Sequence, residues 1–407
     1  MLKQGASRGN SSNDSRVRNL LVVSEVALAL MLLIGAGLLV RSLSGLRAVD
    51  PGFDPHSVLT ATIDIPEAKY STPEQRNQFF DRVVQSIRAL PGVENAAWID
   101  TVPLQGGSTQ YVAVEGHPVV QESEQPVVAV RLPSPGYFAT ARTALIAGRD
   151  FTEADTLGRP AVVILSERTA TRFWPNENPL GKHVTLTMMT KEPAEVVGVV
   201  REVKTGALDA SEADAETALY APAAQFAFNG STLVVRTVVP PDALSRQVVA
   251  AVRAIDADQP VLDIRTMETV VDRSLGQRPL AMQLFTAFAV LALALACIGI
   301  YSVLAYTVGQ RVREIGIRMA LGAPSTGVLR LVIVEGLKPT MAGIALGLVL
   351  AAALVRWMSA LLFGVSRHDP WTFGIGATSV LVVGLIATFV PAYRATRVDP
   401  IATLRAD

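Results

Sequence analysis

A chain of 407 residues that is 50% hydrophobic and 18% charged, with a mean hydropathy of +0.36, is too apolar for an ordinary soluble protein and too polar to lie in a membrane throughout. Its net charge of zero hides a segregation: 29 of the 36 acidic residues fall between Arg47 and Arg278 against 21 of the 36 basic ones, which leaves 15 basic and 7 acidic residues elsewhere. That dispersed excess excludes a nucleic-acid arm and reads as a topology signal, while the single cysteine, Cys297, excludes an internal disulfide.

Residues 1–18 read as a polar tail carrying Lys3, Arg8, Arg16 and Arg18. A first span is expected over 19–46, on the 21 residues Leu20–Val40, whose one charge is Glu25. About 20 residues at ~1.5 Å each cross ~30 Å of hydrocarbon. The run exceeds the apolar core of a signal peptide and no small-residue cleavage site follows, so the helix is read as retained. Glu25 is expected to reach back to the interface near Arg16 or Arg18.

Residues 47–278 suffice for one large domain or two small ones. Its opening reads strand, helix, strand: "SVLTATIDI", then "TPEQRNQFFDRVVQSIRAL" with Thr72 as N-cap and Pro73 at the first helical position, then "GVENAAWI". Its close repeats the order with "STLVVRTVV", "PPDALSRQVVAAVRAI" and "PVLDIRTM". The two helices match at an offset of 165, Val83-Val84-Gln85-Ser86-Ile87-Arg88-Ala89-Leu90 against Val248-Val249-Ala250-Ala251-Val252-Arg253-Ala254-Ile255. The spacing predicts two β-α-β units packed into one split sheet, with a lobe of short strands inserted over about 106–224.

That lobe shows no catalytic constellation. His56, His117, His183 and His368 are isolated, and Ser166 and Ser231 lack a nucleophile elbow. "NPLGKH" has Gly181-Lys182 but neither the earlier glycine nor the Ser/Thr of a Walker A phosphate loop. The chain is therefore expected to be no enzyme, with no cofactor and no metal. The acidic stretch "ALDASEADAETALY" reads as a solvated loop.

A second span is expected over 279–309, where Leu280–Val308 holds 29 residues without a charge; it is too long to cross upright and predicts a tilted helix or a projecting stalk. A cytoplasmic helix and loop follow over 310–328. Val312, Ile315 and Met319 share a stripe widened by Ile317 and Leu321, while Arg311, Arg313, Glu314 and Arg318 take the other face. Glu314 and Arg318 form an i,i+4 pair, and Gly322 before Pro324 ends the helix. The physics leaves two readings open: a helix lying on membrane lipid headgroups, or one docking a cytoplasmic partner.

A third span is expected over 329–357, with Gly343 and Gly347 as a G-x-x-x-G packing motif. A loop (358–371), a fourth span (372–393) and a tail (394–407) complete the chain. Asp369-Pro370 and Asp399-Pro400 read as N-cap pairs, and Trp357 and Trp371 as interfacial anchors. Arg and Lys crowd the two tails and the 310–328 loop, whereas the third-to-fourth loop offers only Arg356 and Arg367. Both termini are thus expected in the cytoplasm and residues 47–278 outside it.

The segment "GIYSVLAYTVGQRVREIGIRMALGA" resembles the second span and coupling helix of FtsX/MacB-type ABC transporter permeases. "RVRNLLVVSEVALALMLLIGAGLLVRSL" with "VDPGFDP" resembles their first span and the approach to the core domain, while "FGVSRHDPWTF" and "PAYRATRVDPIATLR" resemble their last loop and tail. The resemblance covers nearly the whole chain. It implies four transmembrane helices with a large α+β extracytoplasmic domain, a sheet "porter" plus an inserted lobe, between helices 1 and 2 of a bacterial inner-membrane protein. It also implies that Arg313, Glu314, Ile315, Gly316, Arg318, Met319, Ala320, Leu321, Gly322 and Ala323, with Arg311 beside them, contact a separate ABC ATPase subunit.

MacB members carry an ATPase domain ahead of the first span, whereas "MLKQGASRGNSSNDS" is more similar to the junction before the second half of duplicated permeases. The resemblance accordingly leaves open whether the second permease is another copy or a homologous half, and admits a periplasmic adaptor. It leaves export or substrate extraction beside a non-transporting regulator of a periplasmic hydrolase. No nucleic acid is expected as partner.

Overall fold

The computed structural model describes residues 8–118, 121–187, 189, 190, 192–208, 217–226, 230–276, 278–310, 324–357 and 369–395. The chain divides into two compact units, one made of the residues up to Ala48 with those from Gln277 onward, the other of Val49–Gly276.

Helix α1 (Arg8–Arg47) starts well before the expected span edge, because a helix already nucleated by its apolar run propagates outward through polar residues. The domain follows with β1 (Val58–Asp64), α2 (Pro73–Arg88) and β2 (Val93–Ile99). Next come β3 (Thr109–Val114), β4 (Val127–Arg131), α3 (Tyr137–Ala141) and β5 (Leu145–Gly148). They lead to β6 (Val162–Ser166), α4 (Glu167–Phe173), β7 (His183–Leu186), β8 (Ala194–Val200) and β9 (Ala218–Tyr220). The domain closes with β10 (Gly230–Thr237), α5 (Ser245–Ile255), β11 (Leu262–Thr266) and α6 (Met267–Ser274).

Four strands form one sheet in the order β11-β1-β10-β2, with every neighbouring pair antiparallel. β1 and β2 therefore run parallel with β10 between them, which is a split β-α-β arrangement. Helix α2 starts with a full capping box: Gln75 N–H donates to the Thr72 hydroxyl, and the Gln75 side chain accepts from Thr72 N–H. The repeated positions do the same work in both halves: Val83 and Ile87 of α2, like Val248 and Val252 of α5, are buried, and the helices pack together. The pattern of α2 alone did not foretell α6, whose signal is Thr266, an N-cap accepting from Thr269 N–H.

The other strands, Thr109–Tyr220, make a mixed sheet in the order β5-β8-β6-β9-β4-β3-β7, and β7 pairs back onto β8. β5 takes one part of that β8 edge, Gly198–Val200, and β7 the other, Ala194 and Glu195. The sheet is thus closed into a small barrel, a solution that removes exposed strand edges. Val112, Val128, Leu165, Leu186 and Val196 fill it, and they belong to one continuous apolar cluster with Leu59, Phe80, Trp98 and Leu233 of the first sheet. The sheets meet where Ile99 bridges Pro133, Ser134 N–H donates to Trp98 O at 2.8 Å, and Leu132 N–H donates to Asp100 Oδ1 at 2.7 Å.

The loop that opens the domain is fixed by a buried cation. Arg236, only 1% exposed, donates to Thr140 O at 2.6 Å, Asp54 O at 2.9 Å, His56 O at 3.0 Å and Asp54 Oδ2 at 3.3 Å. Arg142 also donates to Asp54 Oδ2, at 2.9 Å, and reaches Glu94 at 3.3 Å. Gly52 of "VDPGFDP" has φ +85°, and a Cβ there would lie 1.9 Å from Glu202 O, so no other residue fits.

Helix α7 (Arg278–Gln310), α8 (Ser325–Trp357) and α9 (Pro370–Ala395) complete the first unit, and with α1 they are the four membrane spans. In α1 44% of an 18-residue apolar stretch is buried, against 22–33% for the other three spans, because α1 makes the broadest contacts, with α7 and α8. Val22, Val26, Leu30, Ile34 and Leu38 recur at every fourth position along its buried side. Helix α8 runs unbroken through Pro339, beside which the Thr340 hydroxyl donates to Gly336 O.

Burial pulls the Asp54 carboxyl upward, but the His56 N–H and the Arg236 and Arg142 guanidiniums together hold it below the ordinary carboxylate range. Its contribution to stability is present above the unfolded value of about 3.9 and is lost as pH falls through the lower folded value. Arg236→Met is expected to cost about 3 kcal/mol, since the Thr140 and Asp54 carbonyls lose their donor. Chemical denaturation of the purified chain, followed from neutral to acid pH, checks both the loss and a flattened acid limb.

Candidate functional site

The amphipathic segment that sequence singles out, Arg311, Arg313, Glu314, Ile315, Gly316, Arg318, Met319, Ala320, Leu321, Gly322 and Ala323, lies outside the described residues, as does Asp399-Pro400. Its two flanks, the end of α7 and the start of α8, are described.

At the end of α7 the Gln310 side chain donates to the Tyr306 hydroxyl at 2.6 Å, and the Arg18 guanidinium of α1 sits 4.1 Å from the Tyr306 ring centroid. One face of this region opens into a cavity of about 710 Å³ between α1, α7 and α8. Arg18, Glu335 and Lys338 are its charged lining, and Val22, Ile300 and Leu304 part of its apolar wall.

Contact between the spans depends on glycine. A Cβ on Gly343 would lie 2.6 Å from Val26 Cβ, and one on Gly347 would lie 3.0 Å from Ala27 O. The G-x-x-x-G of α8 therefore meets the backbone of α1 directly. Gly336 takes the side chain of Leu304 in the same way, with Cδ1 2.2 Å from where a Cβ would stand. Glu25 turns into the bundle: its Oε2 is buried without a hydrogen-bond partner and lies against Gly299 of α7. The expected return toward Arg16 or Arg18 is not what the side chain does, because the missing Cβ at Gly299 leaves a notch that it fills.

The opposite end of the bundle is tied by charge. Arg41 of α1 donates to Asp369 Oδ2 at 2.5 Å, and the Thr372 hydroxyl donates to the same oxygen at 2.5 Å. Asp369-Pro370 does begin α9. Trp357 and Trp371 are 89% and 73% exposed at helix ends. Arg18 and Arg41 are twenty-three residues apart in one helix, about 34 Å, and Lys338 and Trp357 nineteen, about 28 Å. Each pair brackets one hydrocarbon thickness of ~30 Å.

In the domain His56, His183, Ser166 and Lys182 have structural partners, whereas the buried Ser231 hydroxyl has no hydrogen-bond partner among the described residues, and His368 lies outside them. His56 pairs with Glu268 at 2.6 Å and His183 with Glu115 at 2.9 Å. Ser166 caps α4 by accepting from Thr169 N–H. Gly181 holds a turn at φ +78°, and Lys182 pairs with Glu177 beside the Trp174 ring. Among the described residues no three His, Cys, Asp or Glu side chains group to hold a metal. Sequence reasoning passed over the two fully buried arginines, Arg236 and Arg131. Arg131 donates to Val130 O at 2.8 Å and Gly106 O at 2.5 Å. Their signal is a lone arginine inside an apolar strand, "LVVRT" and "VVAVR", where only a partnered charge is tolerated.

Residues 20–255 match the family model for a MacB-like periplasmic core domain, and residues 286–400 match that for an FtsX-like permease C-terminal region. The chain belongs to the MacB-like periplasmic core domain family. A pyoverdine export ATP-binding/permease protein, PvdT, of Pseudomonas syringae pv. tomato is 29% identical over 272 residues, covering 64% of this chain and 40% of that protein. A macrolide export ATP-binding/permease protein, MacB, of Mannheimia succiniciproducens is 26% identical over 286 residues, covering 66% and 42%. The chain thus spans about two fifths of the length of these relatives. Among solved structures, the periplasmic region of MacB from Actinobacillus actinomycetemcomitans is similar at 17% identity and a TM-score of 0.37, over 56% of this chain and 95% of that one.

In this MacB-like chain the α1–α8 contact is set by the missing Cβ atoms of Gly343 and Gly347. Gly343→Val is expected to cost about 1–3 kcal/mol by overpacking against Val26. Gly374→Ala, where a Cβ meets nothing within 4 Å, is expected to be neutral. Thermal unfolding of the detergent-solubilised chain distinguishes the two.

Proposed function

We propose that this multi-pass membrane protein is the permease subunit of an ABC-type export or mechanotransmission complex. ATP hydrolysis in a separate cytoplasmic ATPase subunit moves its extracytoplasmic domain, for efflux or extraction of a substrate. What carries the reading is family membership together with the continuity of α7. That helix is 33 residues long, about 50 Å at ~1.5 Å per residue, and joins two functionally different ends. It leaves the α+β domain three residues after α6 and ends at Gln310, next to the amphipathic segment.

A rod longer than the bilayer and unbroken by proline between Leu280 and Gln310 passes an axial or tilting displacement from one side to the other. The segment 311–323 is the surface that the ATPase grips, its apolar stripe buried and its arginines pairing with acidic groups. Both termini lie in the cytoplasm of a bacterial inner membrane, as the Arg and Lys distribution directs. A second permease, identical or homologous, completes the assembly, and a periplasmic adaptor extends it. The relatives' names supply export as the outcome, since they are ATP-binding/permease proteins for pyoverdine and macrolides.

Ile315→Asp with Met319→Asp places two charges in the docking stripe. It is expected to abolish co-purification with an ABC ATPase encoded beside the permease, while membrane insertion is unchanged; undiminished association removes the docking role. Labelling of single cysteines placed at residues 311–323 is expected only from the cytoplasmic side.

A further inference from the structure

The cavity between α1, α7 and α8 has two chemical ends. Val22, Ile300, Leu304 and Val332 make an apolar wall of buried side chains, while Arg18, Asn19, Glu335 and Lys338 supply the polar lining. We propose that it binds one monoanionic glycerophospholipid of the cytoplasmic leaflet, its phosphodiester held by Arg18 and Lys338 and an acyl chain laid along the apolar wall. The choice of leaflet rests on the topology proposed above; the site itself does not.

Three observations converge on this ligand class. The first is depth. Arg18 and Lys338 each stand one hydrocarbon thickness from a marker at the far side, Arg41 and Trp357, so both cations lie at the level of headgroups. The second is charge. Among the described lining residues Arg18 and Lys338 against Glu335 leave one net positive charge in a recess walled by hydrocarbon, where an excess charge is costly. A phosphodiester of charge −1 neutralises it, whereas a zwitterionic headgroup leaves it standing. The third is preorganisation. The guanidinium of Arg18 is already placed against the Tyr306 ring at 4.1 Å, which fixes a planar fork suited to two phosphate oxygens. The volume, about 710 Å³, is that of a ligand site and far exceeds one water.

A water-soluble phosphate would use the cations alone and leave the apolar wall uncovered; a lipid uses both. The test delipidates the full-length chain in mild detergent and titrates it with dioleoyl-phosphatidylglycerol or dioleoyl-phosphatidylethanolamine, reading bound lipid by native mass spectrometry. One phosphatidylglycerol per chain is expected, preferred about tenfold over phosphatidylethanolamine. Arg18→Gln with Lys338→Gln is expected to lose that preference. Val303 of α7 also lines the recess, so Val303→Phe, which fills it with both cations intact, is expected to lose binding, and Arg356→Gln, at the other end of α8, to keep it. Equal retention of the two lipids overturns the proposal, as does unchanged binding in Val303→Phe or displacement of the lipid by millimolar inorganic phosphate. None of these readouts involves the ATPase, so they stand or fall apart from the proposed coupling.

Discussion

Lipid gives two helices no hydrophobic reason to touch, because hydrocarbon solvates leucine as well as a neighbouring helix does. The membrane unit is governed by that constraint. Its central helix, α1, is held by the atoms its neighbours lack: Gly343 and Gly347 of α8 open onto Val26 and Ala27, and Gly376 of α9 opens onto Ile34. Close approach converts each missing Cβ into dispersion contacts along a whole turn. The far end adds electrostatics, where Asp369 accepts from both Arg41 and Thr372 and so joins the end of α1 to the start of α9.

The α+β domain solves the opposite problem, since water drives its core together. Its two sheets share one apolar cluster, and repeated α-helices cover one sheet while barrel closure protects the other. Within so apolar an interior the polar exceptions define the joints. Arg236 gathers the backbone of the opening loop, α3 and β10, and Arg131 gathers the loop at Gly106 beside β4. A buried guanidinium with four carbonyl or carboxylate partners is a poor source of net stability but a strong determinant of which segments must meet.

How much of this was legible follows from range. The four spans, the N-cap at Thr72, the Asp369-Pro370 start and the duplicated helix faces depend on residues within one or two turns, and each was readable from spacing. The strand pairings of the barrel were not, because β7 meets β8 and β4 meets β9 through contacts that no local period encodes. Nor was the direction of Glu25: a carboxylate near a span end ordinarily reaches the interface, and only the notch at Gly299, far along the chain, turns it inward. Arg236 and Arg131 were passed over because a charged residue is presumed solvated until its carbonyl partners are located.

By itself the sequence determined the membrane class, the number of spans, the split-sheet core and the family resemblance, since hydropathy and periodicity act over short stretches of chain. Only the tertiary structure decided that α1 is the centre of the bundle, that the inserted strands close on themselves, and that Arg18 and Lys338 line the same recess. Those facts belong to pairs of residues tens to hundreds of positions apart, brought together by packing, and packing is a property of the assembled shape that no single segment carries.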